Sequence, residues 1–326
     1  EFPMSRFWSS TRTADAAVEI TGSRVSAAVL SVRGGRPAIE SVAAERLPTG
    51  TVTPAFASLN IHDAAALTAA LGSVTARLGA RIRSVALVVP DAVARVSLVR
   101  FDQVPPRRDD LAQLVHWQVR KGVPFPADEA RVSFVPGAGG GAGHEFLVAV
   151  ARAGVVAEYE QACARAGLHA GIVDVASTAV LNLRLAGGPI SGDWLLVHVR
   201  EDASTVAVLR GGDVLFVRTR TADDQSSVDQ SSVGDFVHQA VMYYQDRLEG
   251  AGFQSVYVAG SGSREWPIDI ARRDIEERLN TPARLLEASS YVAVPSNLAS
   301  LVDDPRDVLT TLAGMTLRAR EQAAVA

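Results

Sequence analysis

Ala17-Val18-Glu19-Ile20-Thr21-Gly22-Ser23, then Val25-Ser26-Ala27-Ala28-Val29-Leu30, Arg33-Gly34-Gly35 and a third apolar run from Pro37 to Ala43 form the stretch that decides the fold, because its outline returns later. Leu195-Leu196-Val197-His198-Val199-Arg200 is followed by Thr205-Val206-Ala207-Val208-Leu209, Arg210-Gly211-Gly212 and Val214 to Arg218. Each copy reads as strand, tight turn, strand, Gly-Gly turn, strand. β-Branched runs bounded by glycine-containing turns favour strands and hairpins. A meander used twice, far apart in the chain, predicts two related halves.

A helix-then-strand unit accompanies the meanders. Leu67, Leu71, Val74 and Leu78 precede Gly79, and Val85 to Val89 follows. Val155, Tyr159, Ala162 and Ala166 precede Gly167, and Ile172 to Val175 follows. Phe236, Ala240, Tyr244 and Leu248 precede Gly250, and Ser255 to Val258 follows. The 3.6-residue spacing marks amphipathic helices, and the glycines suit left-handed helix stops. Meanders plus such units predict mixed α/β sheets covered by helices, in an actin-like, ribonuclease-H-like arrangement.

The segment from about 93 to 153 belongs to neither repeat. It reads as a strand from Arg95 to Phe101, Pro105-Pro106, a helix from Asp109 to Val119, Pro124-Phe125-Pro126, and strands from Ala130 to Val135 and Glu145 to Ala151. Asp109 and Asp110 suit a helix N-terminus, and Lys121-Gly122 suits its end. The expected organisation is a tag and flexible N-terminus over 1–14 and a first half over 15–188 with this small α/β insertion. A second half covers 189–326, and its C-terminal helix, 308–318, packs across the junction.

Composition narrows the function. The chain has 326 residues, 48% of them hydrophobic and 21% charged, with a net charge of −4, which argues against a general nucleic-acid binder. Cys163 is the single cysteine, so neither an intrachain disulfide nor a cysteine-built zinc site is expected. No apolar run reaches the ~18–20 residues that span a bilayer. These features read as cytoplasmic. Glu1-Phe2-Pro3 ahead of Met4 reads as a cloning scar, and Ser5-Arg6-Phe7-Trp8 with Arg12 as a frayed terminus or a membrane-touching pair.

The order of motifs resembles the PilM type of actin-like protein of type IV pilus assembly, and more distantly the cytoplasmic part of the type II secretion L component. Phe101-Asp102-Gln103-Val104-Pro105, Asp110-Leu111, Trp117-Gln118-Val119 and Val123-Pro124-Phe125-Pro126 with Asp128-Glu129 resemble that family's inserted subdomain. Ala149 to Arg152, Ala166-Gly167-Leu168, Val173-Asp174-Val175, Ala179 to Asn182, Phe216-Val217-Arg218, Tyr244, Val258 to Gly262 and Ala313 to Arg318 extend the likeness over nearly the whole chain. The resemblance implies two actin-like halves with a cleft between them. It also implies a partner: the cytoplasmic N-terminal tail of a PilN-like bitopic membrane protein. The chain would then sit peripherally at the inner membrane beside other pilus platform components. Trp117, Val123, Phe125 and Phe134 are candidates to line a groove for that tail, against the alternative that they are core.

Actin-like ATPases hold ATP between two hairpin loops whose backbone N–H groups approach phosphate, with carboxylates organising Mg²⁺. The candidate contacts here are Thr21, Gly22, Ser23, Arg200, Gly260, Ser261 and Gly262. The loops depart from the family pattern: Glu19 stands for Asp, Thr21-Gly22 for Gly-Ser, Ser26 for Lys, His198 for Asp and Arg200 for Gly. Arg200 either fills the space beneath phosphates or pairs with them. The changes argue against efficient ATP hydrolysis and leave weak binding of ATP with Mg²⁺ open. The expected function is a platform scaffold; the alternatives are an ATP-dependent phosphotransferase or a filament-forming ATPase.

Other signals have plainer readings. The glycine run from Gly137 to Gly143 is followed by a strand, which suits a hairpin tip rather than a dinucleotide loop. The six histidines show no metal-ligand spacing. Gly260-Ser261-Gly262 is not a hydrolase elbow. The tandem Asp224-Gln225-Ser226-Ser227-Val228 and Asp229 to Val233 reads as a mobile loop.

Overall fold

In the computed structural model, residues 14, 16–33, 36–79, 81–137, 144–221, 233–263, 266–299 and 302–325 are described. The N-terminal expectations, Gly34-Gly35, the glycine run beyond Gly137 and the tandem pentapeptides before Val233 lie outside them. The first meander forms β1 (Ala16–Ile20), β2 (Arg24–Arg33) and β3 (Arg36–Arg46), paired antiparallel. β1 is buried at every position, which is why its sequence is a near-continuous apolar run rather than an alternation. α1 (Ala64–Arg77) buries Leu67, Leu71 and Val74, and Asp63 caps it by accepting from the Ala66 N–H at 2.9 Å. Gly79 beyond it takes φ +70°, the left-handed stop expected there. β4 (Ser84–Val89) then lies parallel to β1.

The insertion follows as β5 (Ala94–Phe101), α2 (Arg108–Val119), β6 (Ala130–Pro136) and β7 (His144–Arg152). Its strands make a separate antiparallel sheet in the order β5-β7-β6. α2 is anchored on that sheet by Val115, in a cluster with Phe101, Phe146, Val148 and Val150. α3 (Ala153–Arg165) and β8 (His169–Val175) return the chain to the first sheet, whose order is β3-β2-β1-β4-β8.

α4 (Ala176–Ala186) leads to β9 (Asp193–Val199), β10 (Ala203–Arg210), β11 (Asp213–Thr221), α5 (Val233–Arg247), β12 (Ser255–Ala259), α6 (Ile268–Leu279) and β13 (Ala283–Leu285). The second sheet runs β11-β10-β9-β12-β13. Counted within each sheet, both orders are third, second, first, fourth, fifth, with antiparallel pairs on one side and parallel pairs on the other. The repeated meander is therefore one part of a repeated sheet. The third helix stop differs from expectation: Glu249 takes the left-handed φ of 52°, not Gly250. Gly250 lies against Tyr244, where a Cβ would fall 2.0 Å from the ring, so close approach rather than φ demands the glycine.

After the short α7 (Ser296–Ala299), α8 (Pro305–Val325) begins earlier than the sequence pattern indicated. It lies along α4 and reaches across to β1, β2 and β4 of the first sheet. Val308, Leu312, Ala313 and Met315 share one buried cluster with Ala17, Ala28 and Val88. Gly314 sits where a Cβ would be 1.9 Å from the Ala179 carbonyl oxygen, so α8 and α4 touch backbone to backbone. The last helix of the chain thus covers the first sheet, and its Thr310 hydroxyl accepts from the Ala288 N–H at 3.1 Å just beyond β13.

Candidate functional site

Three turns converge at the ends of the central strands. Between β1 and β2, the Thr21 hydroxyl accepts from the N–H groups of Ser23 (3.3 Å) and Arg24 (3.0 Å) and donates to the Arg24 carbonyl (3.2 Å). Between β9 and β10, the Arg200 N–H donates to the Ala203 carbonyl at 2.9 Å and closes the turn that carries Glu201 and Asp202. After β12, Gly260 and Gly262 adopt φ of 103° and 78°. A Cβ on Gly260 would meet the Val199 carbonyl oxygen at 2.1 Å, and one on Gly262 would meet the Ile268 nitrogen at 2.5 Å.

These turns and the loop after β3 border a cleft of about 350 Å³, lined by Thr21, Gly22, Ser23, Arg24, Leu47, Thr49, Gly50, Val52, Arg200, Glu201, Asp202, Ser261 and Asp307. Of the sequence candidates, Thr21, Gly22, Ser23, Arg200 and Ser261 line it. Gly260 and Gly262 shape the turn that presents Ser261 instead of lining the cleft.

Beneath the cleft lie four charges. Arg200 donates through Nη2 to Glu19 Oε1 at 2.6 Å and to both Asp307 oxygens at 2.9 Å, and through Nε to Asp307 Oδ1 at 3.2 Å. Arg24 donates to Asp307 Oδ2 and stands 3.6 Å from Glu19 Oε2, which also accepts from the Ser26 hydroxyl at 3.3 Å. Arg200, Glu19 and Asp307 are each 7% exposed or less. Burial opposes ionisation of Asp307, but the Arg200 and Arg24 guanidinium groups outweigh it and hold the carboxyl below the ordinary range. Burial likewise pulls on Arg200, and Asp307 and Glu19 reverse that pull, raising its pKa. Asp202, half-buried at the rim, is raised by burial.

A second polar cluster lies deeper. Asp91, in the turn after β4, accepts from the Ser177 N–H and hydroxyl at 2.9 Å each and from the Thr205 hydroxyl at 3.2 Å, and meets His198 Nδ1 at 3.2 Å. Burial opposes its ionisation, and the bonds to His198 and Ser177 override that and lower its pKa. Sequence reasoning singled out His198 and Arg200 but missed Asp91 and Asp307. Neither aspartate sits in a motif; each matters only through partners distant in the chain.

The four groove candidates separate. Trp117, on α2, is 54% exposed, with Lys121 Nζ 4.4 Å above its ring. Val123 and Phe134 pack on the insertion's core, Phe134 edge-on to Phe146 at 5.8 Å. Phe125 packs 5.1 Å from Phe56, in the loop after β3, and Arg95 lies over that Phe56 ring at 5.0 Å. Exposed Leu59 belongs to the same loop. Among the described residues, no group of three or more His, Cys, Asp or Glu could hold a metal ion, and no helix is long and apolar enough to cross a membrane.

A doubled five-stranded sheet with matching order, a cleft between the copies and a last helix returned onto the first sheet define the actin-like class. Solved structures agree on the fold. A chain of a PilM-PilN type IV pilus biogenesis complex matches with a TM-score of 0.77 at 19% identity, over 95% of this chain and 99% of that one. A Bacteroides thetaiotaomicron protein with an actin-like ATPase fold and unknown function matches with a TM-score of 0.50 at 9% identity, over 92% of this chain and 96% of that one. The family described as type IV pilus assembly protein PilM matches residues 17–230, and the chain belongs to that family. No curated protein matches the chain.

Proposed function

We propose that this chain is a cytoplasmic scaffold of a type IV pilus inner-membrane platform, which binds the N-terminal tail of a PilN-like bitopic membrane protein and works without nucleotide turnover. Family membership is the observation that carries the pilus role. The solved relative is described as a PilM-PilN complex, which supports a PilN-like partner here. The insertion offers suitable chemistry: Trp117 exposed on α2, and Phe56, Leu59 and Phe125 grouped where the loop after β3 meets the insertion. A short tail with apolar anchors suits such a surface, because large aromatic side chains dominate peptide and protein docking energies.

The cleft residues do not fit a Mg²⁺-nucleotide site. Phosphate needs unspent N–H donors and cations, and Mg²⁺ needs carboxylate oxygens facing it. The Thr21 hydroxyl is spent inside its own turn. The two cations lining the cleft, Arg24 and Arg200, are neutralised by Glu19 and Asp307. Glu201 and Asp202 add negative charge at the rim. The glycines after β12 answer to the backbone of Val199 and Ile268. This arrangement favours the scaffold over the ATPase readings.

Calorimetry with tail peptides from the single-span proteins encoded beside this gene tests the partner. Saturable binding is expected, and absence of binding across those tails refutes it. Mg-ATP turnover by the purified protein is expected to be negligible. Turnover that disappears in Glu19→Ala or Asp202→Ala would overturn the scaffold-only function.

A further inference from the structure

We infer that the Glu19–Arg24–Arg200–Asp307 cluster is a ligand-independent clamp: it bridges the two halves where an actin-like ATPase uses nucleotide phosphates, and it holds the cleft at one fixed opening. The inference goes beyond the scaffold reading, which requires no particular cleft geometry. Arg200 comes from the β9–β10 turn of the second sheet, and Glu19 and Arg24 come from β1 and β2 of the first. Asp307 comes from the first turn of α8, which packs on β1, β2 and β4 of the first sheet. One guanidinium from the second sheet thus holds two carboxylates anchored on the first, at contacts spanning 181 and 107 residues of chain.

The chemistry of the cluster makes it a lock rather than a loose contact. Two cations and two anions pair with one another at the cleft floor, where Glu19, Arg200 and Asp307 are almost wholly buried. Opening the cleft pulls Arg200 away from Glu19, Asp307 or both, and gives up charge-assisted bonds of 2.6 and 2.9 Å, which are about twice as strong as neutral ones. Bidentate Arg–carboxylate geometry adds direction as well as strength. The deeper bonds from Asp91 to His198 and Thr205 cross the same boundary. An open state would have to break both sets together. A ligand shifts an equilibrium only if an alternative state lies within reach, and this cluster removes that state.

Double electron–electron resonance on the full chain tests the clamp. Spin labels go on Ala69→Cys in α1 and Gln245→Cys in α5, both exposed and on opposite halves. Buried Cys163, its thiol pushed up to about 12 by burial, does not take the label. The expected result is one narrow distance distribution, unchanged by millimolar Mg-ATP or Mg-ADP. Asp307→Asn is expected to broaden or shift it. Asp303→Asn, which loses only the exposed pair with Arg46, is expected to leave it alone. A broad distribution that nucleotide narrows, or an unchanged one in Asp307→Asn, overturns the clamp. If Asp307→Asn fails to fold, Arg200→Lys keeps the charge but loses the fork, and the nucleotide arm decides on the unmutated pair. Lost tail-peptide binding with a narrow distribution retained would sink the scaffold reading and leave the clamp standing.

Discussion

Replacing Arg200 with Ala puts a number on the buried cluster. The substitution strips Glu19 Oε1 of a partner at 2.6 Å and both Asp307 oxygens of partners at 2.9 Å, where both carboxylates are almost wholly buried. Removing one member of a buried ion cluster costs about 3–5 kcal/mol, because the remaining charge loses its compensation but not its burial. Unfolding entropy is about 2.1 cal/mol/K per residue, so for a cooperative chain of this length the loss lowers Tm by about 4–7 °C. Arg24 remains beside both carboxylates and favours the lower end. Denaturant titration and calorimetry measure the loss, with Arg46→Ala as the control. The Arg46–Asp303 pair also joins the halves, but it is exposed and worth about 0–1 kcal/mol. The decisive comparison is the double variant. With Asp307 already changed to Asn, Arg200→Ala should cost about 0.5–3 kcal/mol less than it does alone, the range typical of groups in one network. Strictly additive costs, or an Arg200→Ala loss no larger than the Arg46→Ala loss, would refute the reasoning.

Acid should act through the same residues. Asp307 and Asp91 ionise more readily in the folded chain than in the unfolded one. Their stabilisation is therefore complete above the unfolded carboxylate value of about 3.9 and is lost as pH falls below it toward the folded values. Denaturation midpoints should fall as pH drops below about 4, less steeply in Asp307→Asn than in the unmutated chain. Gly314→Ala forces a methyl to 1.9 Å from the Ala179 carbonyl oxygen and must push α8 off α4; an overpacking loss of about 1–3 kcal/mol or more is expected in denaturant titration. Trp117→Ala should change stability by no more than about 0.5 kcal/mol, because the ring is largely in solvent, yet weaken tail-peptide binding by more than about 1 kcal/mol in calorimetry.

Parts of the site could be read in the chain and parts could not. Glu19, His198 and Arg200 stood out because each falls at a turn of a recognisable repeat and differs in size or charge from the residue that the resembled family has there. That Arg200 occupies the cleft floor follows from its place at the end of β9. That it is held by Glu19 and Asp307 does not, because hydrogen bonds over 181 and 107 residues leave no periodic trace. Gly260 and Gly262 illustrate the opposite limit. A glycine-rich turn looks the same in sequence whether the missing Cβ makes room for a phosphate or for the chain's own backbone, and here it makes room for Val199 and Ile268.

Local patterns determined the two meanders, the inserted helix and strands, and the helix stops at Gly79 and Gly167. Those depend on side-chain period, β-branching and left-handed glycine, all of which act within a few residues. The sequence also determined that the two halves are related, since one meander occurs twice. Tertiary structure alone decided which strands of the first sheet α8 covers, that Gly250 answers to the Tyr244 ring, and that four charges at the cleft floor cancel one another. Each of these is settled by which distant surfaces come within contact, where burial makes a misplaced charge or an extra methyl too costly to keep.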